Sequence, residues 1–463
     1  MIDEVATRLE EPTARGLAGA VSRAIGDGAL APGSKLPPIR HMAHYLGLSP
    51  TTVSAAWQLL ARSGAIRTGG RRGTIVAQPR ATGPSRYRQA LRQRARFPLD
   101  LSTGVPDPAL LPDLGPALRR LHATAPSSYL DEPIVAELES LLRDRWPFAA
   151  DRLAILDGAM DALDHVASAL LRLGDRAVVE SPGFPPLLDL LDALGVEVIG
   201  LGLDDSGPVP ELLAAALALR PAAVFLQPRA QNPTGASWTL ARARELAGLL
   251  ATAPSTVVIE DDSAGDIAST TLFSLGAWLP QRTVHIGSFS KSHGPDLRLA
   301  AVGAPAAILD PILERRLLGQ GWTSRLLQHL LLDLLNDPLS VAAVAKARKE
   351  YARRRRLVTE VLRRDGVDVN GADGINLWLP VADEQAALIS LASEGVGAAR
   401  GAAFLAEPAP GRAPTRRMSL ADETAGHAPQ HLRVTVGLVS RGHADVAERL
   451  SRATRAGSWP APR

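Results

Sequence analysis

The sequence predicts two folded domains of different class: a small N-terminal domain of three helices and a β-hairpin, and a larger α/β domain. The chain has 463 residues, about three times the length of an average domain. From residue 99 onward, short apolar runs alternate with long stretches rich in Ala and Leu, as in buried parallel strands separated by helices. We therefore expect a mostly parallel sheet of about seven strands, followed by a smaller α+β subdomain at about 340–463.

The N-terminal domain is expected over residues 1–78. Leu17, Val21 and Ile25 recur every four residues, as on one face of a helix. Ser49 and Pro50 stand where the N-cap and the first position of a helix would be. The pattern as a whole predicts helices over about 17–25, 39–46 and 51–63, and a hairpin formed by 65–68 and 74–77.

The strands of the large domain are expected where apolar runs end at turns. They are 153–156, 177–179, 196–199, 223–226, 257–259, 284–286 and 299–302, with 375–379 and 432–436 in the smaller subdomain. The domain as a whole is expected over 99–463.

The formal charge is distributed unevenly between the two parts of the chain. Residues 1–98 carry 15 Lys and Arg against 5 Asp and Glu, whereas the whole chain has a net charge of only +3. A basic front on an acidic body suggests a polyanionic partner. However, six of these arginines lie in 80–96, so a solvated basic linker over 79–98 explains part of the excess.

Several classes of protein are disfavoured by the sequence. The chain has no cysteine, which excludes disulfides and thiolate metal sites, and no metal site is expected. There is no apolar run of about 18 residues, and the N-terminus lacks the pattern of a signal peptide. We therefore expect a cytoplasmic protein.

Lys291 is the most informative residue of the large domain. It is one of only four lysines, and it follows a predicted strand between Ser290 and Ser292, close to Ser288. A lysine at a strand end suits Schiff-base chemistry when its amine is partly desolvated, and the serines can bind a phosphate. Arg298 could pair with that phosphate. A lysine taken alone is usually an ordinary surface residue, but the residues around Lys291 favour the Schiff-base role.

Other residues at predicted strand ends have the chemistry that a phosphorylated pyridine cofactor such as pyridoxal 5'-phosphate (PLP) needs. Asp261 could keep a pyridine nitrogen protonated, and Asn232 could donate to the ring's 3'-oxygen. Phe184 could stack on the ring. The Gly158-Ala159-Met160 turn offers backbone N–H groups for the phosphate. If the register is shifted by one, Asp262 takes the place of Asp261.

The N-terminal pattern is that of a winged helix-turn-helix, and residues 14–77 resemble the GntR family of regulators. The resemblance implies DNA contacts from Arg40, Thr51 and Thr52, and from Arg71 and Arg72 in the wing. Pro38 and Pro50 depart from the family pattern, which leaves the half-site sequence open. A winged helix used only for protein contact is the alternative.

The order Gly158, Phe184, Asn232, Asp261, Lys291 and Arg298 resembles that of fold-type I aminotransferases. Together with the GntR-like head, the chain therefore resembles the MocR subfamily of PLP-dependent regulators. The resemblance implies a head-to-tail homodimer, double-stranded operator DNA, and an internal aldimine at Lys291. It further implies that Ser288, Ser290, Arg298 and the Gly158–Met160 turn hold phosphate, that Tyr129 reaches the partner's phosphate, and that Arg433 binds an effector's α-carboxylate.

Two departures bear on function. Ser263 stands where the family usually has a tyrosine that helps to bind the 3'-oxygen. Pro186 stands where an arginine would bind an effector's distal carboxylate. We expect a DNA-binding regulator that senses PLP, an amino acid or an amine through the aldimine. The alternatives are an active aminotransferase with a fused DNA-binding domain and a regulator whose domain binds no cofactor.

Overall fold

The structure, a computed structural model, describes residues 2–9, 11–31, 33–62, 65–68, 73–76, 86, 88, 97–121, 128–406 and 430–457. The chain forms two units. One comprises Met1–Pro84 with Arg172–Asp175 and Leu191–Glu197, and the other comprises the remaining residues. None of the described helices is long and apolar enough to cross a membrane.

The N-terminal unit has the predicted helices and hairpin. Its elements are α1 (Ile2–Ala6), α2 (Ala14–Gly26), β1 (Lys35–Leu36), α3 (Ile39–Leu46), α4 (Pro50–Arg62), β2 (Ile66–Thr68) and β3 (Thr74–Val76). Leu17 and Val21 are fully buried, as their spacing predicts. The Ser49 hydroxyl accepts the Thr52 N–H at 3.0 Å, so Ser49 caps α4. α1 and β1 are too short to leave a periodic signal, and neither was predicted from the sequence.

All seven predicted strands lie in one eight-stranded sheet. The strands of this sheet are β5 (Arg152–Leu156), β6 (Arg176–Ser181), β7 (Glu197–Asp204), β8 (Gly207–Pro208), β9 (Ala223–Leu226), β10 (Val257–Asp262), β11 (Thr283–Ser288) and β12 (Ala300–Ala304). The strand order is β5-β12-β11-β10-β9-β6-β7-β8. Strands β6, β9, β10 and β11 run parallel, whereas β12 is antiparallel to both of its neighbours.

Helices cover both faces of this sheet. They are α5 (Leu114–Arg120), α6 (Ala136–Arg145), α7 (Ala159–Leu170), α8 (Pro185–Leu194), α9 (Pro210–Leu217), α10 (Leu240–Ala251), α11 (Ala306–Arg316) and α12 (Arg325–Asn336). One apolar cluster includes Leu213 and Leu246 with Val224, and another includes Leu138 and Leu331. All four residues of β9 are buried, which explains why its sequence is apolar throughout rather than alternating.

The C-terminal subdomain is α+β, as expected. It contains α13 (Pro338–Arg364), β13 (Leu377–Val381), α14 (Glu384–Ser393), β14 (Val396–Gly397), β15 (Ala399–Arg400), β16 (Gln430–Val434) and α15 (His443–Thr454). A short strand, β4 (Leu99–Asp100), pairs with β14.

The predicted bounds of β13 and β16 were wrong by two residues in opposite directions. The antiparallel ladder ends where Leu377 pairs with Val434. Ile375 and Asn376, which precede β13, line a cavity, and Val436 begins a 3₁₀ turn after β16. The residues on both sides of the last pair of the ladder are apolar, so the sequence does not show where the strands stop pairing.

Candidate functional site

A cavity of about 70 Å³ lies where strands of the large sheet end. In α/β folds, ligands bind outside the carboxyl ends of parallel strands. Four of the residues predicted to hold a cofactor line this cavity together: Phe184, Asn232, Asp261 and Lys291. Seven further residues complete the wall: Ala230, Ser263, Ala264, Ile267, Gly374, Ile375 and Asn376.

Lys291 follows β11 by three residues and is half-buried. Burial, together with the charge of Arg433, lowers the pKa of its ammonium group to about 8. A substantial fraction of the amine is therefore neutral near pH 8. The neutral amine is the form that attacks an aldehyde carbon.

The neighbouring residues Asp261 and Asp262 differ in their hydrogen bonding. Asp261 is buried, and its Oδ1 has no hydrogen-bond partner in the described part of the chain. Burial, together with the charge of Asp262, raises the pKa of Asp261 to about 7. Asp262 is bound by the Arg229 guanidinium, with Nη2 and Nε donating at 2.7 and 3.0 Å. Asp261 therefore lines the cavity, whereas Asp262 is paired with Arg229.

Asn232 is oriented by an amide network. The Asn376 amide donates to the Asn232 Oδ1 at 3.2 Å, and the Asn232 N–H donates to the Gln227 Oε1 at 2.9 Å. Because the Asn232 Oδ1 already accepts, its Nδ2 is left to donate. Asn376 was missed in the sequence because nothing in the apolar run around it marks a side chain of this role.

Glu180 is a second buried carboxyl that the sequence analysis did not single out. Its Oε1 accepts the Gln227 N–H at 3.0 Å, and its Oε2 has no partner among the described residues. Burial raises the pKa of Glu180 to about 8, and the charge of Asp261 contributes to the rise. Its position at the end of β6 is the signal that could have marked it.

Gly158 and Arg298 meet at the N-terminus of α7. Gly158 precedes the helix with φ 100°, and a Cβ there would lie 3.0 Å from the Arg298 Nη2. Arg298 adopts the left-handed conformation, with φ 51°, and its Nη2 donates to the Asp157 carbonyl at 3.4 Å. The helix has twelve residues, and the backbone N–H groups of its first turn, beginning with Ala159 and Met160, have no partner within the helix. These N–H groups and the adjacent Arg298 guanidinium can bind an anion.

The remaining predicted cofactor residues lie at different places. Ser288 is buried, and its hydroxyl accepts the Ser290 N–H at 3.3 Å. Tyr129 is 86% exposed, stacks on Trp322 with 5.7 Å between ring centroids, and is not among the residues that line the cavity of its own chain.

Arg433 is buried on β16 and engaged with its surroundings. Its Nη2 donates to the Ser102 carbonyl, and its guanidinium lies 5.1 Å from the centre of the Phe404 ring. A Cβ at Gly104 would lie 2.7 Å from the Arg433 Nη1, so residue 104 has to be glycine for this approach. The segment Ser102–Gly104 therefore covers the guanidinium.

The predicted DNA-contacting residues that the structure describes lie on α3 and α4. Arg40 and Thr51 are exposed, whereas Thr52 is half-buried. The Ser49 hydroxyl lies 2.7 Å from the Thr51 hydroxyl and 2.8 Å from the Thr52 hydroxyl. Arg71 and Arg72 lie outside the described residues.

Comparison with known families supports both parts of the chain. Residues 13–76 match the model for bacterial regulatory proteins of the gntR family, and residues 98–437 match that for aminotransferase class I and II. The vitamin B6 salvage pathway transcriptional repressor PtsJ of Salmonella typhimurium is 35% identical over 404 residues, which cover 86% of this chain and 92% of that protein. The chain belongs to the MocR subfamily of GntR-type transcription regulators.

A second regulator, the pyridoxine biosynthesis transcriptional regulator PdxR of Corynebacterium glutamicum, is 30% identical over 378 residues. These residues cover 77% of this MocR-type chain and 81% of PdxR. Among solved structures, the α-aminoadipate aminotransferase LysN of Thermus thermophilus aligns with a TM-score of 0.67 and 23% identity, covering 80% of this chain and 94% of LysN. That likeness shows the fold. The chain is thus a PLP-related DNA-binding transcription regulator.

PLP is the cofactor of the aminotransferase class I and II family, and the described residues of this MocR-type regulator fit it. Asp261 has an unpartnered buried oxygen where a pyridine N–H could donate, and Gly158 leaves open the space beside Arg298. When bound, the cofactor supplies an aldehyde and a protonated pyridine ring that withdraws electrons.

Proposed function

We propose that this regulator senses PLP itself and that it controls genes of vitamin B6 supply. The observation that carries the proposal is the convergence of Lys291 and Asp261 on one cavity. The pKa of the amine is about 8 and that of the carboxyl is about 7, so both groups are poised near neutral pH. PtsJ, which is named for repression of vitamin B6 salvage, supports the choice of ligand.

Each residue of the site has a distinct role in this proposal. The neutral Lys291 Nζ would supply the nucleophile for the aldehyde of PLP. Asp261 would accept a hydrogen bond from the protonated pyridine nitrogen. Asn232 would donate its free N–H to the 3'-oxygen, and Phe184 would stack on the ring. Arg298 and the N-terminus of α7 would bind the phosphate.

The surroundings of Arg433 favour PLP over an amino acid as the primary effector. The Arg433 Nη2 already donates to the Ser102 carbonyl, so an effector carboxylate that takes this donor has to replace that hydrogen bond. PLP alone requires no such change. An amino acid or amine as a second effector would therefore act together with the loss of the hydrogen bond between Arg433 and Ser102.

The test is the visible absorbance spectrum of the purified protein during titration with PLP. Wild type should develop a band from the covalent adduct, and Lys291→Ala should not. Lys349→Ala removes an exposed lysine and serves as the matched control, which should behave like wild type. A band that persists in Lys291→Ala would refute the assignment of this lysine.

We further propose that the regulator is a homodimer in which Tyr129 lies near the partner's phosphate site. An exposed apolar surface supports this: Tyr129, Leu130 and Leu318 are 86%, 83% and 87% exposed. Arg325 donates to the Glu132 carbonyl at 2.9 Å, which joins the two segments that carry these residues. Apolar exposure of this kind marks a protein–protein interface.

Sedimentation velocity tests the dimer. Leu318→Glu should shift the protein from dimer toward monomer, because a charge in an apolar interface is costly to desolvate. Leu339→Glu changes a leucine that is 76% exposed on α13 and should leave the dimer intact. Equal sedimentation of Leu318→Glu and wild type as dimers would place the interface elsewhere.

A catalytically active aminotransferase is the second candidate, because Lys291 and Asp261 are also the groups that transamination needs. Steady keto-acid formation from an amino acid and an acceptor, at about 1 per second or faster, would support it. Turnover far below that rate, with PLP bound, would support the regulator without catalysis.

A further inference from the structure

The loop between β5 and α7 carries a carboxylate that PLP binding does not explain. Asp157 precedes Gly158 directly, at the edge of the anion site formed by Arg298 and the start of α7. An unpaired carboxylate at this position would repel a phosphate. Phosphate binding therefore requires a positive charge or hydrogen-bond donors that offset the charge of Asp157.

Arg316, in the last turn of α11, forms a salt bridge with Asp157 and so offsets its charge. Its Nη2 donates to the Asp157 Oδ2 at 2.6 Å, and only 2% of its side chain is exposed. The Gln320 amide donates to the same oxygen at 2.7 Å. The Asp157 carboxylate is thus held from the protein side, while the Asp157 carbonyl accepts from Arg298.

The same guanidinium also holds the end of β5. The Arg316 Nη1 donates to the Ile155 carbonyl at 3.3 Å, and the Thr323 hydroxyl donates to that carbonyl at 3.0 Å. The Arg316 Nη2 lies 3.2 Å from the Thr323 hydroxyl. One buried arginine therefore fixes the loop at two positions, two residues apart.

We propose that Arg316 is a positioning residue for the phosphate of the bound ligand. It neutralises Asp157 and fixes residues 155–158 so that the N–H groups of α7 and the Arg298 guanidinium converge on one point. Arg316 itself does not touch the phosphate. The inference rests on the proposed function, because it assumes that PLP binds at this site.

The physical consequence of losing Arg316 is specific for the phosphate. Removing Arg316 takes away the cation that pairs with Asp157, whose side chain is 27% exposed and keeps only the neutral Gln320 amide on the same oxygen. Here the remaining charge is that of Asp157, next to a dianion, so affinity for a phosphorylated ligand falls. A ligand without phosphate experiences neither the repulsion nor the misplaced N–H groups.

Parallel titrations with PLP and with pyridoxal, which lacks the phosphate, test the inference. Arg316→Met should weaken PLP binding by about tenfold or more and change pyridoxal binding by less than about twofold. Arg315→Met alters the exposed neighbouring arginine and should leave both affinities unchanged. Circular dichroism and thermal melting confirm that each variant is folded.

Two more variants keep the test independent of folding. Gln320→Ala removes an exposed donor to Asp157 and should weaken PLP binding about two- to fivefold, again without effect on pyridoxal. In Arg316→Met/Asp157→Asn, the repulsive charge is absent, and PLP affinity should recover to within a few-fold of wild type.

Equal losses for PLP and pyridoxal in Arg316→Met and Gln320→Ala would reduce Arg316 to a structural role and overturn the inference. Unchanged PLP affinity in both variants would overturn it as well. Failure of wild type to form an adduct with either ligand would instead refute the proposed function, so the two failures are distinguishable.

Discussion

Replacing Asp261 should stabilise the ligand-free protein while weakening its affinity for PLP. The carboxyl is only 6% exposed, and burial raises its pKa from 3.8 to about 7. A raised pKa means that the folded state binds the proton more tightly than the unfolded state. The folded state therefore loses stability as the pH rises from 3.8 to about 7, by about 1.4 kcal/mol per pH unit.

The magnitude follows from the same numbers. The raised pKa of Asp261 costs the folded state about 1–2 kcal/mol at pH 5, where the folded state retains the proton, and up to about 4 kcal/mol at pH 8, where the buried carboxyl is mostly charged. Asp261→Asn removes this charge, so the stability gain at pH 8 should exceed the gain at pH 5. The variant should lose affinity for PLP by about tenfold or more, since a hydrogen bond between charged partners is lost.

Urea unfolding of the ligand-free protein at pH 5 and pH 8, with PLP titration alongside, is the assay. Asp262→Asn is the matched control on the next residue. Its carboxylate is paired with Arg229, so this variant should be destabilised by about 3 kcal/mol or more. An Asp261→Asn variant that is less stable than wild type at pH 8, or whose gain does not grow with pH, would refute the reasoning.

Three further predictions concern the phosphate end of the cavity and the N-terminal unit. Gly158→Ala should weaken PLP binding strongly in absorbance titrations, because a Cβ at φ 100° would lie 3.0 Å from Arg298; unchanged binding would contradict this account. Ser49→Ala should lower the free energy of unfolding by about 1 kcal/mol, since the Thr52 N–H loses its cap, and an unchanged denaturation midpoint would show that the cap contributes nothing. Arg40→Ala should weaken operator binding in fluorescence anisotropy and reduce the salt-dependence slope by about 1 if Arg40 contacts a phosphate; an identical slope would rule that contact out.

Much of the site could be predicted because strand ends are visible in the sequence. Asp261 and Lys291 each follow an apolar run, and parallel strands bring their carboxyl ends to one edge. The choice between Asp261 and Asp262 was open in the sequence, because it depends on which carboxylate Arg229 binds. That contact joins residues 33 positions apart and leaves no local signal.

Residues that act through other residues could not be predicted. Arg316 lies 159 positions from Asp157, so no local pattern in the sequence marks their contact. Asn376 lies 144 positions from Asn232. The sequence predicts which reactive and polar side chains lie at the ends of strands. The hydrogen bonds that orient these side chains depend on packing between distant elements. The domain boundaries at 78 and 98 stay predictions.

We propose that PLP bound at Lys291 changes how the protein binds DNA. The direct measurement is the affinity for DNA from the promoter upstream of its own gene, with and without PLP, for wild type and Lys291→Ala at one salt concentration. PLP should shift the affinity or the footprint of wild type and leave Lys291→Ala unchanged. An identical response of both proteins to PLP, or no response of a wild type that carries the adduct, would contradict it.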